Sequence, residues 1–160
     1  MIKGTLIAAT LFTCLTTTGG VTAGEMEMKL TIKKPDGLYD SQPNGYSQVV
    51  IAPGDSRVAY ISGQGGAGID GTLSPDFESQ VKQTFANLRI ALEDIGASPS
   101  QVAKIDVFVV DHDMSKLPIM GKYIEETFGG TLPAQTLVPV PRLVLDGMLF
   151  EVDAVAILEN

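Results

Sequence analysis

The stretch Ser74-Pro75-Asp76-Phe77-Glu78-Ser79-Gln80-Val81-Lys82-Gln83-Thr84-Phe85-Ala86-Asn87-Leu88-Arg89-Ile90-Ala91-Leu92-Glu93-Asp94-Ile95-Gly96 carries the clearest helical signal in the chain. Ser74 is placed to cap it, and Pro75 suits the first helical position, where a missing N–H costs nothing. Asp76 and Glu78 suit the positive end of the helix dipole. Phe77, Val81, Phe85, Leu88, Leu92 and Ile95 follow at steps of four, four, three, four and three, which lays them on one apolar face. Gly96 supplies a left-handed stop. Such a face needs a surface to cover, and Val102 to Val110 directly downstream reads as a strand.

Working outward, Ser115 to Phe128 predicts a second helix carrying Leu117, Met120, Ile124 and Phe128, ended by Gly129-Gly130. Upstream, Gln48 to Ala52 and Arg57 to Ser62 flank Pro53-Gly54-Asp55-Ser56, a hairpin signal. Leu30-Thr31-Ile32 reads as a short first strand before the turn-rich Lys34 to Gly45. Ala134 to Leu143 and Met148 to Leu158 read as two final strands joined around Asp146-Gly147. The order strand-strand-helix-strand-helix-strand-strand predicts an α+β fold: one mixed sheet with both helices on a single face. No repeat, linker or charge block divides it.

At 160 residues and 16.9 kDa the chain suits one domain with a sizeable core. Its 44% hydrophobic and 19% charged content argues against disorder. Eleven basic against nineteen acidic residues give a net charge of −8, a sign that repels phosphate backbones and argues against a nucleic-acid partner. The single cysteine allows no internal disulfide, and no Cys/His spacing suggests zinc.

The first residues read as an export signal. Lys3 is followed by an uncharged run to Leu15, then small residues ending in Val21-Thr22-Ala23. Cleavage after Ala23 is expected, making residues 1–23 a signal peptide and the mature protein exported, periplasmic or secreted. The run is too short and too rich in Thr and Gly to span a bilayer, so no membrane association is expected after cleavage. Losing Lys3 takes the charge from −8 to −9. Cys14 sits in a faint lipidation box, for which Phe12 and Thr13 are poor residues; cleavage removes it with the signal, and thiol chemistry with it.

Three places carry residue types capable of chemistry. The glycine-rich Gly63 to Gly71 lacks the Lys and Ser/Thr of a phosphate loop and reads as a flexible surface loop beside a ligand pocket. Asp111-His112-Asp113 sets an imidazole between carboxylates, but adjacent residues on a strand diverge, so they read as solvated residues capping the second helix. Glu151 and Asp153, two apart, share one strand face: an acid–base pair or the wet side of a half-buried strand. In the preceding strand, Pro139 and Pro141 each remove a ladder donor, which calls for an edge or an interface.

Several segments in unbroken order resemble the RidA/YjgF family. They are Ile61-Ser62-Gly63-Gln64, the helix Gln80 to Leu88, the strand Val102 to Asp111, Tyr123 with Phe128, Pro133-Ala134, and the ending Glu151-Val152-Asp153-Ala154-Val155-Ala156. The resemblance runs from Tyr46 to Leu158, giving an expected Rid-like domain at 46–160 behind an N-terminal extension at 24–45. It implies a chorismate-mutase-like fold, a homotrimer, and a small-molecule pocket at each subunit interface. The implied activity is hydrolysis of reactive enamines and imines, such as 2-aminoacrylate, to keto acids and ammonia, with no cofactor and no metal.

The resemblance assigns substrate contacts to Tyr46, to Ser62, to the backbone of Gly63 and to position 135, and assigns Glu151 to orienting the attacking water. Position 135 departs from the pattern: deaminating members carry arginine after the Pro-Ala pair, and this chain carries Gln135. The cysteine often found two positions later is Leu137. An amide lacks the charge and planar fork of guanidinium. Losing a contact worth about 1.5–3 kcal/mol weakens carboxylate binding by roughly one to two decades. Arg142, seven residues on, points to the opposite face of a regular strand. The expectation is a surviving pocket with a less anionic ligand, serving either a hydrolytic deaminase or a non-catalytic binding or chaperone-like trimer.

Overall fold

A computed structural model of the chain describes residues 29–38 and 40–159. The expected signal segment 1–23, with Cys14, lies outside the described residues. The strands are β1 (Thr31–Lys33), β2 (Val49–Ile51), β3 (Arg57–Gly65), β4 (Val102–Val110), β5 (Ala134–Val140) and β6 (Phe150–Leu158). Helix α1 (Phe77–Asp94) precedes β4, and α2 (Lys116–Phe128) follows it.

Four strands form one mixed sheet ordered β3-β6-β4-β5, in which β4 and β5 run parallel and the other neighbours antiparallel. Both helices lie on one face. Ile105, Val107 and Val109 of β4 and Phe150, Val152, Ala154 and Ala156 of β6 project to that face and are buried. They meet Val81, Phe85, Leu88 and Leu92 of α1 and Met120, Ile124 and Phe128 of α2. Each large side chain so buried contributes about 1.5–3 kcal/mol. Phe85 sits at the centre, 5.9 Å from the Phe150 ring and edge-on to Phe128 at 6.2 Å. The expected helix stripes hold at these positions, whereas Ile95 and Leu117 are 39% and 37% exposed.

The boundaries of α1 show where local chemistry was decisive. Its N-cap is Asp76 rather than Ser74: the Asp76 carboxylate accepts from Ser79 N at 2.7 Å, and Ser74 Oγ, two residues earlier, accepts from Asp76 N. Pro75 therefore precedes the cap instead of opening the helix. At the other end Gly96 has φ +69, with Gly96 N donating to Glu93 O and Ala97 N to Leu92 O, the paired bonds of a glycine stop.

Neither expected hairpin pairs. β2 bonds to β1 in a separate two-stranded ribbon, while β3 bonds to β6. The Asp146-Gly147 segment does reverse the chain, with Met148 N on Leu145 O and Gly147 at φ +82. Its two arms nevertheless part, because β6 enters between β3 and β4 and leaves β5 on the far side of β4. β5 is an edge strand, where Pro139 needs no ladder partner; it stops at Val140, before Pro141.

Candidate functional site

Gln135 is the second residue of β5 and lies opposite Ile105, so its side chain points to the helix side of the sheet. There a cavity of about 640 Å³ opens between β5 and α2. Gln135 and Leu137 form its floor, and Leu117, Pro118, Gly121 and Ile124 of α2 form one wall. Pro43, Asn44 and Tyr46 form the other.

That second wall comes from a distant segment and is held by specific bonds. Gln42–Asn44 makes a single 3-10 turn, closed by Gly45 at φ +79, a position that packs on Ile124. The buried Ser41 donates through Oγ to the Tyr46 carbonyl at 2.8 Å. Buried Ser47 donates through Oγ to Leu132 O and through its N–H to Pro133 O, and it forms a parallel bridge to Ala134. Tyr46 is thereby set beside Gln135.

The lining residues carry no charged side chain. Gln135 Oε1 is buried and has no hydrogen-bond partner among the described residues. Arg142 lies beyond the end of β5, exposed and outside the cavity lining.

The remaining expected residues gather elsewhere. Between Ile61 and Gln64 the register of β3 slips against β6, so Ser62 and Gly63 together face Asp153 as a bulge. Gln64 Nε2 braces it, donating to Ser62 O at 3.0 Å. A Cβ on Gly63 would overlap the carboxylate of Glu151, so glycine is what lets Glu151 lie across the bulge. Glu151 stands opposite Phe108, and Asp153 opposite Asp106, on the sheet face without helices. Lys104 pairs with Asp106 on that face, and Asp106 N donates to Asp153 Oδ1 at 3.3 Å.

The five residues thus form two groups. Tyr46 and Gln135 line the cavity on the helix side at the β5 edge. Ser62, Gly63 and Glu151 lie toward the β3 edge, with Glu151 on the open face. β5 and β3 are three strand spacings apart, about 14 Å, so one chain does not unite the groups.

The other two places resolve structurally. Asp113 Oδ1 accepts from both N–H and Oγ of Ser115 just ahead of α2, and these bonds hold its carboxyl below the usual range. Lys116 Nζ donates to the carbonyls of Val110 and Asp111. Among the described residues, no group of three or more His, Cys, Asp or Glu is arranged to hold a metal ion.

The glycine-rich segment is braced: Asn87 Nδ2 donates to the carbonyls of Gly65 and Ala67, and Gly66 is pressed against Gln80. At Gly66 the missing side chain admits helix α1. No sequence pattern marks Pro43, Asn44 or Pro118 as cavity residues, and Leu117 lies on the stripe that predicts core.

The comparisons with known proteins agree with this fold. The family model described as Endoribonuclease L-PSP matches residues 40–158. The chain is 31% identical to the Rid-family protein YyfB of Yersinia pestis, a protein of unknown function, whose crystal structure superposes with a TM-score of 0.77 over 82% of this chain and 100% of that one. It is 26% identical over 121 residues to a 2-iminobutanoate/2-iminopropanoate deaminase of Dermatophagoides farinae, covering 74% of this chain and 90% of that relative. A RutC family protein of Pyrococcus abyssi is 37% identical over 82 residues, a match taking in 51% of this chain and 61% of that relative's length. The protein belongs to the RidA/YjgF family.

Proposed function

We propose that the protein is a hydrolytic deaminase of small imines or enamines, acting at a site completed between copies of the chain in a homotrimer, after export. One copy supplies the cavity with Tyr46 and Gln135; a second supplies Glu151 with the Ser62-Gly63 bulge. The observation that carries this reading is the seating of Glu151 over Gly63 on a sheet face without helices. That seating leaves a carboxylate available to a neighbour's cavity.

In the reaction, water oxygen adds to the carbon of the C=N bond while Glu151 accepts a water proton. That proton passes to nitrogen to give a carbinolamine; its hydroxyl proton is then carried by Glu151 to the same nitrogen as the C–N bond breaks, so that ammonia leaves a carbonyl product. Oxidation state does not change, and no cofactor or metal is called for.

Release of ammonia from imines generated in solution tests the reading. Glu151→Gln is expected to lower the rate by at least about a hundredfold. Equal rates for the two proteins, or no release by either, would remove it. Ligand binding without catalysis is a second reading, favoured by the cavity's neutral lining and its separation from Glu151 within one chain.

A further inference from the structure

We infer that the cavity's ligand carries a carboxamide, with an apolar side chain, in the place where the family's keto-acid-forming substrates carry a carboxylate. The inference deepens the proposed function and rests on it only in turning the ligand's reacting carbon toward Glu151.

Charge comes first. No described lining residue is charged, so a carboxylate entering the cavity gives up hydration and meets no counter-ion from the chain that forms it. If Glu151 completes the site, the environment becomes acidic, which opposes a carboxylate further.

Hydrogen bonding narrows the ligand class. Gln135 Oε1 is a buried acceptor without a donor, so nothing in the wall fixes the amide at that end. A carboxylate offers only acceptors: it takes a bond from Nε2 and leaves Oε1 unpaired. An ammonium or guanidinium does the reverse, supplying Oε1 and leaving Nε2 without an acceptor. A carboxamide satisfies both ends, its oxygen accepting from Nε2 and its N–H donating to Oε1, in a closed pair of bonds. The terminal torsion of glutamine is soft, so either end can turn to the ligand without altering this complementarity.

Size and lining supply the rest. A cavity of about 640 Å³ is larger than a three-carbon acid needs, and Leu117, Ile124 and Leu137 offer an apolar wall for a branched aliphatic group.

The probes 4-methyl-2-oxopentanamide and 4-methyl-2-oxopentanoate differ only at the carboxamide. Titrated separately into the purified protein, the amide is expected to bind at least about tenfold more tightly. Gln135→Arg should reverse the preference, and Gln135→Leu should abolish it. Each preference is a ratio within one protein, so a variant's stability does not enter, and either variant alone suffices. Equal or tighter binding of the acid, binding of neither probe, or an unchanged ratio in the variants would overturn the inference. Ammonia release from the matching imino amide is measured separately. Amide preference without release keeps the ligand class and removes the hydrolase; release with acid-preferring binding does the opposite.

Discussion

A methyl group at position 63 would claim the space of the Glu151 carboxylate, so the two positions are coupled through a single contact. Gly63→Ala is expected to change the urea midpoint little, because the atoms it displaces are the far end of a flexible side chain. It should lower imine hydrolysis by tenfold or more by displacing Glu151. Full activity would show that Glu151 tolerates displacement.

Gln80 is the other residue on which much rests. It is fully buried, and its Nε2 donates to Ser74 O at 2.7 Å and Gly147 O at 2.8 Å, while Oε1 accepts from Leu149 N at 2.8 Å. Gln80→Leu strands these backbone groups and should cost about 2–4 kcal/mol, read from urea midpoints. Glu151 and Gly63 were legible through their resemblance to a family motif, but their contact was not, because a bulge leaves no composition signal. Gln80's role depends on a partner 67 residues away, which helix periodicity does not reveal.

At the level of elements, the helices were legible because their stripes and stops are local. The wrong cap at Ser74 was a near miss within the same three residues. Strand partners were not legible. Gly54-Asp55 makes a turn and Asp146-Gly147 reverses the chain, but a turn does not choose which strand fills the neighbouring place in the sheet.

The α1–α2 contact adds a titratable clamp. Glu78 Oε1 accepts from Lys122 Nζ at 3.0 Å and from the Tyr123 hydroxyl at 3.1 Å. The Lys122 bond first, and the Tyr123 bond next, hold the Glu78 carboxyl below its usual range. A depressed carboxyl contributes stability above its unfolded value and loses it as pH falls through the folded one. Melting temperatures of wild type and Glu78→Gln should therefore differ near neutrality and converge in acid below the ordinary carboxylate range. A constant gap across that range would contradict the clamp.

For the whole molecule, the sheet face without helices is the open question that the proposed trimer answers. Tyr60 is 83% exposed and Val58 48%, with half-buried Val155 opposite Tyr60. This apolar end of a face that carries Lys104, Asp106, Asp153 and Glu151 further along suits a second copy better than water. Tyr60→Glu is expected to shift the protein from a trimer to smaller species in light scattering; a trimer unmoved by it, or a wild-type monomer, would count against the assembly. The edge position of β5 was legible from Pro139, whereas the division of the site into two groups was not, since a motif gives residue types without saying which face each occupies. Finally, the bond from Ser47 to Leu132 spans 85 positions of chain. β3 closes loops at least as long on β6, but along a strand ladder, whereas this wall is held to β5 by an isolated bridge, so entropy favours its reopening first. The cavity's outer wall should therefore assemble late in folding and fray early, so that a ligand seated against Tyr46 would slow amide exchange at Ser47 well before it altered global unfolding.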